Sequence, residues 1–131
     1  MGIRSLTVLI GVLLTSASSA QEAGDAVAGE AVFKKCMACH AVGEGARNKV
    51  GPVLNGVVGR QAGTFPDFRY SEAMVKAGTD GLMWTPEDLA KYLAAPKEFV
   101  PGNKMAFAGL KDQADVDNVI AYLATLPAPP Q

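Results

Sequence analysis

The only cysteines and the only histidine of this 131-residue chain lie within five consecutive positions, Cys36-Met37-Ala38-Cys39-His40. A Cys-x-x-Cys-His run is typical of covalent haem attachment, in which both sulfurs bind the haem and the histidine binds its iron. A redox disulfide would be expected in a βαβ context, and no strand pattern is found in the chain. A structural zinc site needs four ligands, and this motif offers three. The motif therefore predicts one covalently bound haem, with His40 as an axial ligand.

The second axial ligand must be another residue type, because no further histidine exists. Methionine is the natural candidate, since histidine and methionine form an established axial pair for haem iron. Met37 lies on the His40 side of the motif, and Met74 and Met83 are expected to fill the core, although Met83 stays a weaker contender. Met105 lies in an irregular stretch, which favours it as the ligand. With both axial positions filled, the iron has no open site for oxygen or peroxide, which favours electron transfer over oxygenase or peroxidase chemistry.

The first twenty residues have the pattern of a secretory signal peptide. Arg4 precedes an apolar run over residues 6–14, and small residues follow up to Ala20. This order is typical of a signal cleaved after a small residue. A retained membrane anchor is disfavoured, because a spanning helix needs about 20 apolar residues. We expect residues 1–20 to be removed and residues 21–131 to form a single exported domain.

Four segments combine apolar residues at helical spacing with a suitable N-cap, and no strand is predicted. They cover approximately residues 26–35, 71–77, 86–95 and 112–126. Asp25, Ser71 and Thr85 are expected caps, Gly78 is expected to stop the second helix, and Pro96 the third. The sequence therefore predicts an all-α domain.

The remaining stretches, residues 41–70 and 97–110, are rich in Gly and Pro. Loops of this length are uncommon in a compact domain unless they serve a site. Because a small domain buries only a modest share of its surface, we expect these loops to wrap the haem as the walls of its pocket. The proline-rich residues 127–131 are expected to form a frayed tail.

Several further segments carry a family resemblance. They are Gly51-Pro52-Val53-Leu54-Asn55-Gly56-Val57-Val58-Gly59-Arg60, Phe68-Arg69-Tyr70-Ser71, Trp84, Tyr92-Leu93, Pro96, Pro101-Gly102-Asn103-Lys104-Met105-Ala106-Phe107 and Ile120-Ala121-Tyr122-Leu123. With the Cys-x-x-Cys-His motif, they resemble the class I c-type cytochromes, which include mitochondrial cytochrome c and, closest to this pattern, bacterial cytochrome c2. The resemblance extends from Gly24 to Leu126. It implies the class I cytochrome c fold, with helices and long loops wrapped around one haem c.

The resemblance also implies roles for single residues. Met105 matches the axial methionine, and Tyr92 would approach its sulfur. The Pro52 carbonyl would accept a hydrogen bond from the His40 ring and so fix its tautomer. Three residues would surround the haem propionates, although each alone could be surface charge or core: Arg60, Tyr70 and Trp84. On the first and last helices, Gly29 and Phe33 would pack against Tyr122.

Two positions depart from the mitochondrial pattern. Met74 stands where asparagine is common, and Asn103 stands where threonine is common. Both positions belong to the polar network beside the haem, so the resemblance does not fix the arrangement of that network. The stretch from Tyr70 to Trp84 is also longer than in the mitochondrial form, which with the signal peptide favours a bacterial protein.

The implied function is that of an electron carrier, not an enzyme. The formal net charge of −1 does not point to nucleic acid or to an anionic membrane surface. Five lysines nevertheless match positions that ring the exposed haem edge in the family: Lys35, Lys49, Lys97, Lys104 and Lys111. Acids lie elsewhere, as at Asp112, Asp115 and Asp117. We expect a soluble, monomeric periplasmic protein that docks through this lysine ring on membrane complexes such as cytochrome bc1 and a photosynthetic reaction centre or terminal oxidase. A small haem peroxidase and a haem sensor module are the alternative functions.

Overall fold

The computed structural model describes Gly2 and residues 24–130, so the predicted signal peptide lies almost wholly outside the described part of the chain. The described residues form five helices: α1 (Ala26–Phe33), α2 (Glu72–Thr79), α3 (Pro86–Ala94), α4 (Pro96–Phe99) and α5 (Gln113–Ala124). They form no strand beyond an isolated bridge between Gln61 and Met83. The predicted all-α class is thus confirmed. No helix in this part of the chain has the length and apolar character needed to cross a membrane.

The four predicted helices begin where the sequence places them. The Asp25 carboxylate accepts hydrogen bonds from the first turn of α1, and the Ser71 hydroxyl accepts the amide N–H of Met74 at 3.1 Å. Thr85 caps α3, with Pro86 as the first helical residue, and Asp112 caps α5. Each cap satisfies an amide N–H that has no partner inside its helix, and this fixes the point of entry.

The end of α2 differs from the prediction. Gly78 does not stop this helix but lies within it, and the chain turns away only at Gly81, which has φ +107°. The reason is packing: a Cβ on Gly78 would lie 1.9 Å from the carbonyl oxygen of Ala62. Gly78 is therefore needed for the close approach of a wall loop to the helix rather than for the helix end. The first helix is also shorter than predicted, ending at Phe33.

The short helix α4 was not predicted, because residues 97–110 were expected to be irregular. Pro96 ends α3, as expected, but it is also the first residue of α4. A proline lacks an amide N–H and has a fixed φ, so it is favoured at a first helical position as well as after a helix end. α4 therefore begins directly where α3 stops.

The first and last helices pack against each other at Gly29. A Cβ on Gly29 would lie 1.8 Å from the Asn118 carbonyl oxygen. The rings of Phe33 and Tyr122 have centroids 5.4 Å apart, so the predicted contact between α1 and α5 is confirmed. The buried Val116, Val119, Ile120 and Leu123 of α5 continue this contact into the core.

Asparagine side chains hold the long loop over residues 41–70. The Asn55 amide both accepts from the Gly43 N–H and donates to the Gly43 carbonyl, each at 2.8 Å. The Asn48 amide accepts the Val53 N–H at 2.9 Å and donates to the Pro66 carbonyl at 3.0 Å. These bonds satisfy backbone groups that would be paired in a helix or sheet. The loop can therefore keep a fixed shape without regular secondary structure.

The C-terminal tail, which was expected to fray, lies against the wall loop at Ala128, while Pro127, Ala128 and Pro130 stay exposed. The Gly56 N–H donates to the Leu126 carbonyl at 3.1 Å, and a Cβ on Gly56 would lie 2.6 Å from the Cα of Ala128. The prolines prevent a helix, but they do not prevent the extended tail from lying against the wall loop.

Replacing Gly78 by alanine tests the close approach of α2 to the wall loop. In an open helix this change would stabilise the fold, because alanine has the higher helix propensity. Here we expect the free energy of unfolding to fall by about 2 kcal/mol, since the methyl group overlaps the Ala62 carbonyl. The measurement is urea unfolding of the haem-loaded protein. Thr79→Ala, at the exposed next position, is the control and should change stability little. A stabilised Gly78→Ala variant would contradict the packing described.

Candidate haem site

A large cavity opens between the wall loops, α2, α3 and α5. The space between its walls, including the open entrance, is about 1010 Å³. Its walls are mainly apolar. Most residues predicted for the site line it: Cys39, His40, Pro52, Arg60, Tyr70, Trp84, Tyr92 and Met105. Cys36 does not belong to this wall and packs half-buried beside the core. The structure thus brings the predicted residues together around one space.

The attachment motif is positioned by turns that continue from the end of α1. The Cys36 N–H donates to the Phe33 carbonyl at 2.8 Å, and the His40 N–H donates to the Cys36 carbonyl at 2.9 Å. No disulfide joins the two cysteines. Burial raises the pKa of the Cys36 thiol, although nearby Lys35 opposes this. Two thiols and an imidazole on consecutive turns at a cavity edge fit the donor set of a covalent haem.

His40 is held from two sides by the wall loop. Its Nδ1 lies 2.7 Å from the Pro52 carbonyl oxygen, as the resemblance implies. Because a carbonyl can only accept, Nδ1 carries the proton and Nε2 keeps a lone pair that can bind a metal. Burial lowers the pKa of His40, while the bond to Pro52 partly opposes this, so the neutral ring is favoured.

On the other side, the Gly51 backbone lies directly against the imidazole. A Cβ on Gly51 would be 2.4 Å from the His40 Cε1. Gly51 does not have a positive φ, so its backbone would accept other residues. Only the contact with the ring therefore requires glycine at this position.

Met105 is held by both its sulfur and its backbone. The Tyr92 hydroxyl donates to its Sδ at 3.8 Å, and its N–H donates to the Asn103 side-chain oxygen at 2.8 Å. Burial raises the pKa of Tyr92 to about 12, so this hydroxyl keeps its proton far above neutral pH. A thioether held at the cavity wall and bearing a lone pair is suited to bind a soft or borderline metal such as iron.

The other methionines lie in different surroundings. Met74 is buried and lines the cavity as well as the core. Met83 is 42% exposed, so the prediction that it fills the core is wrong; its backbone instead pairs with Gln61 across the isolated bridge. Met37 is 54% exposed and does not line the cavity. Met74 and Met105 are thus the methionines that reach the cavity among the described residues.

The cavity carries positive charge with no acid beside it. Arg60 and Lys104 line the space, and no Asp or Glu does so within residues 24–130. The Arg60 guanidinium donates to the carbonyls of Asn55 and Val53 at 3.0 and 3.4 Å, and lies 4.9 Å from the centroid of Phe65. Burial lowers its pKa, but no nearby carboxylate neutralises it. A ligand with carboxylate groups, such as a haem, is complementary to this wall.

Two aromatic residues complete this side of the cavity. The Tyr70 hydroxyl accepts the Phe65 N–H at 3.1 Å, and burial raises the pKa of Tyr70. The ring centroids of Trp84 and Tyr92 are 4.9 Å apart, and Trp84 is buried. The backbone N–H of Trp84 donates to the Arg60 carbonyl at 2.8 Å. These contacts fix Arg60, Tyr70 and Trp84 as neighbours.

Asn103 has a role that the sequence did not reveal. Its side-chain nitrogen donates to the carbonyls of Pro96 and Val100, both at 2.9 Å, and its oxygen accepts the Met105 N–H. The amide is therefore bonded to the backbone rather than to a polar network in the cavity. The sequence contains one indication of this role. An asparagine side chain often accepts the backbone N–H of the residue two positions later, and Asn103 stands two positions before the predicted ligand Met105.

The five lysines of the predicted ring are all exposed. Lys104 lies at the cavity itself, and the Lys49 ammonium donates to the Met37 carbonyl at 2.8 Å. The acids of α5 were expected to lie away from these lysines. Lys35 nevertheless lies 3.6 Å from Asp115, so the separation is incomplete.

Comparison with known proteins places the chain among close relatives. A sequence model of the cytochrome c family matches residues 26–127. A cytochrome c2 of Agrobacterium tumefaciens is 61% identical over 100 residues, covering 76% of this chain and 90% of that protein. A cytochrome c2 of Afifella marina is 56% identical over 103 residues, covering 78% and 83%. The solved structure of cytochrome c2 from Rhodospirillum centenum superposes with a TM-score of 0.77 at 45% identity, covering 80% of this chain and all of that one.

Replacing Gly51 by alanine tests the backbone support of His40. The added methyl group has no room beside the imidazole, so either the ring or the wall loop must move. We expect the free energy of unfolding of the haem-loaded protein to fall by about 2–3 kcal/mol in urea titrations. Gly45→Ala is the control, because Gly45 has φ +73° and open space around it; it should lose only about 1 kcal/mol to backbone strain. Equal losses in the two variants would contradict the support described.

Proposed function

Because the chain belongs to the cytochrome c family, we propose that it carries single electrons through the periplasm between membrane-bound redox complexes. The chain is an electron-transfer protein with one covalently attached haem c, and not an enzyme. When bound, the haem supplies an iron that can gain or lose one electron.

We assign the covalent bonds to Cys36 and Cys39 and the axial positions to His40 and Met105. The observation that carries this assignment is that His40 and Met105 line one cavity, each with a fixed donor atom. Pro52 orients the imidazole so that Nε2 is free, and Tyr92 orients the thioether by its hydroxyl. Such outer contacts also tune how strongly a ligand donates to the metal. With both positions filled by protein, a bound iron would have no open site for peroxide.

We assign the haem propionates to the cationic side of the cavity. Arg60, Tyr70 and Trp84 are neighbours there, and Arg60 has no acidic partner. A buried carboxylate is costly unless it is paired and hydrogen-bonded. Arg60 would supply the charge, and the Tyr70 hydroxyl keeps a proton that it can donate, since it only accepts from Phe65.

The periplasmic location rests on the first twenty residues. Their charge and apolar pattern supports export, with cleavage after Ala20 and residues 21–131 as the mature single domain. The mature chain would act as a soluble monomer, which suits a carrier that must reach two different complexes.

The docking surface would be the lysine ring of Lys35, Lys49, Lys97, Lys104 and Lys111. All five are exposed, and Lys104 marks the cavity where the electron enters or leaves. A local positive surface can steer a protein toward acidic partners even when its net charge is negative. Cytochrome bc1 as donor and a photosynthetic reaction centre or terminal oxidase as acceptor would present such partners.

The axial assignment predicts that Met105→Leu removes the far-red absorption of a methionine–ferric iron bond. It should also lower the reduction potential, because methionine ligation raises it. Absorption spectra and redox titration of the holoprotein measure both effects. Met74→Leu is the matched control, since Met74 also lines the cavity. Loss of the band in Met74→Leu and its retention in Met105→Leu would show that the assignment is wrong.

The docking surface predicts a salt-dependent encounter with a reductase complex. Lys97→Gln should slow association by about threefold at low salt. The difference should shrink above 0.1 M salt, where charges are screened over about 10 Å. Lys76→Gln changes the net charge equally, but Lys76 lies on α2, outside the ring, and is paired with Asp80 just after that helix; its association rate should stay near that of the wild type. Equal slowing by both variants, or rates that salt does not change, would count against the lysine ring.

A further inference from the structure

The irregular segment that holds Met105 has few fixed points. It leaves α4 at Val100 and rejoins regular packing at Leu110, whose N–H donates to the Leu93 carbonyl at 2.8 Å. Between these ends, the backbone of residues 104–109 forms no helix or strand. A segment of this kind opens locally at low free-energy cost unless side chains tie it down.

Asn103 ties this segment to α4 with its side chain. The side-chain nitrogen donates to the carbonyls of Pro96 and Val100, each at 2.9 Å, and the side-chain oxygen accepts the Met105 N–H at 2.8 Å. Pro96 and Val100 are both buried. The Met105 backbone is therefore linked through one amide group to a helix that is anchored in the core.

The sulfur of Met105 has a weaker hold of its own. The Tyr92 hydroxyl reaches it at 3.8 Å, and a thioether is a weak hydrogen-bond acceptor. Met105 itself is only half-buried. The position of the sulfur thus depends mainly on the backbone that carries it, and Asn103 is the side chain that fixes this backbone.

We propose that Asn103 is a positioning residue that keeps Met105 at the cavity wall and so limits the opening of the axial site to outside ligands. The proposal rests on the assignment of Met105 as a ligand in the proposed function. In this role Asn103 acts through its hydrogen bonds to the backbone and does not contact the iron.

The test measures imidazole binding to the ferric holoprotein, with the loss of the methionine–iron absorption band as the signal. Imidazole can bind only when Met105 has left, so its apparent affinity reports the open fraction of the axial site. Asn103→Ala should bind imidazole roughly tenfold more tightly than the wild type, equivalent to about 1.4 kcal/mol. Asn118→Ala is the matched control, because it removes an asparagine on α5, away from the cavity wall, whose side-chain oxygen accepts the Asp25 N–H at 2.8 Å. It should bind imidazole as the wild type does.

Two conservative variants separate positioning from a general loss of stability. In Asn103→Ser the hydroxyl can still accept the Met105 N–H and can also donate its one proton to a backbone carbonyl, so this variant should fall between the wild type and Asn103→Ala. Asn103→Asp keeps this acceptor and loses the donors to Pro96 and Val100, so it should resemble alanine. If Asn103→Ala yields no holoprotein, Asn103→Ser decides the question by itself.

Wild-type imidazole affinity in Asn103→Ala or Asn103→Ser, or an equal gain in Asn118→Ala, would overturn the proposal. Failure of the ligand assignment gives a different result. In that case the wild-type protein would lack the methionine band, or Met105→Leu would retain it.

Discussion

The hydrogen bond between Nδ1 of His40 and the Pro52 carbonyl, with the Gly51 backbone against the same ring, joins the attachment motif to the long wall loop. It fixes which nitrogen of the only histidine carries a proton. It also explains why the loop needs its own supports. A loop that orients a ring at 2.7 Å must keep its shape, and the amides of Asn48 and Asn55 provide that shape where no sheet is present. The contact between α1 and α5 at Gly29 then holds the motif itself in place.

Around Met105, polarity is distributed differently. Met74 brings an apolar side chain to the wall, and the Asn103 amide is directed to backbone carbonyls. The polar groups that face the space near Met105 are therefore fewer than the resemblance to the mitochondrial pattern suggests. Positive charge instead collects at Arg60 and Lys104, where the described walls supply no carboxylate. The cavity thus combines an apolar lining, suited to an apolar plate, with positive charge, suited to anionic groups.

The parts of this arrangement that depend on neighbouring residues could be predicted from the sequence. Ser71 and Thr85 have the side chains of N-caps and form them, since capping involves only the next three residues. Contacts between distant segments could not be read in this way. Gly78 is a helix stop by local rules, but the approach of Ala62 overrides them. Met83 has the side chain of a core residue, yet the place of its segment at the surface is decided by the fold as a whole.

The same limit applies to the candidate site. His40 and the cysteines follow from spacing alone, and Met105 follows from ligand chemistry together with family resemblance. The packing of Ala128 on Gly56 and the three bonds of Asn103 required the structure, because they join segments that the sequence leaves independent.

The clamp between Asn55 and Gly43 also affects the chemical lifetime of the protein. Asn55 is followed by Gly56, and in a flexible chain the glycine nitrogen of such a pair attacks the asparagine side chain and releases ammonia. In the folded protein both atoms are occupied: the Asn55 amide is bonded twice to Gly43, and the Gly56 N–H is bonded to Leu126. Asparagine is among the thermally labile residues. The bonds that shape the wall loop therefore also slow the deamidation of a sequence that would age quickly if it were unfolded.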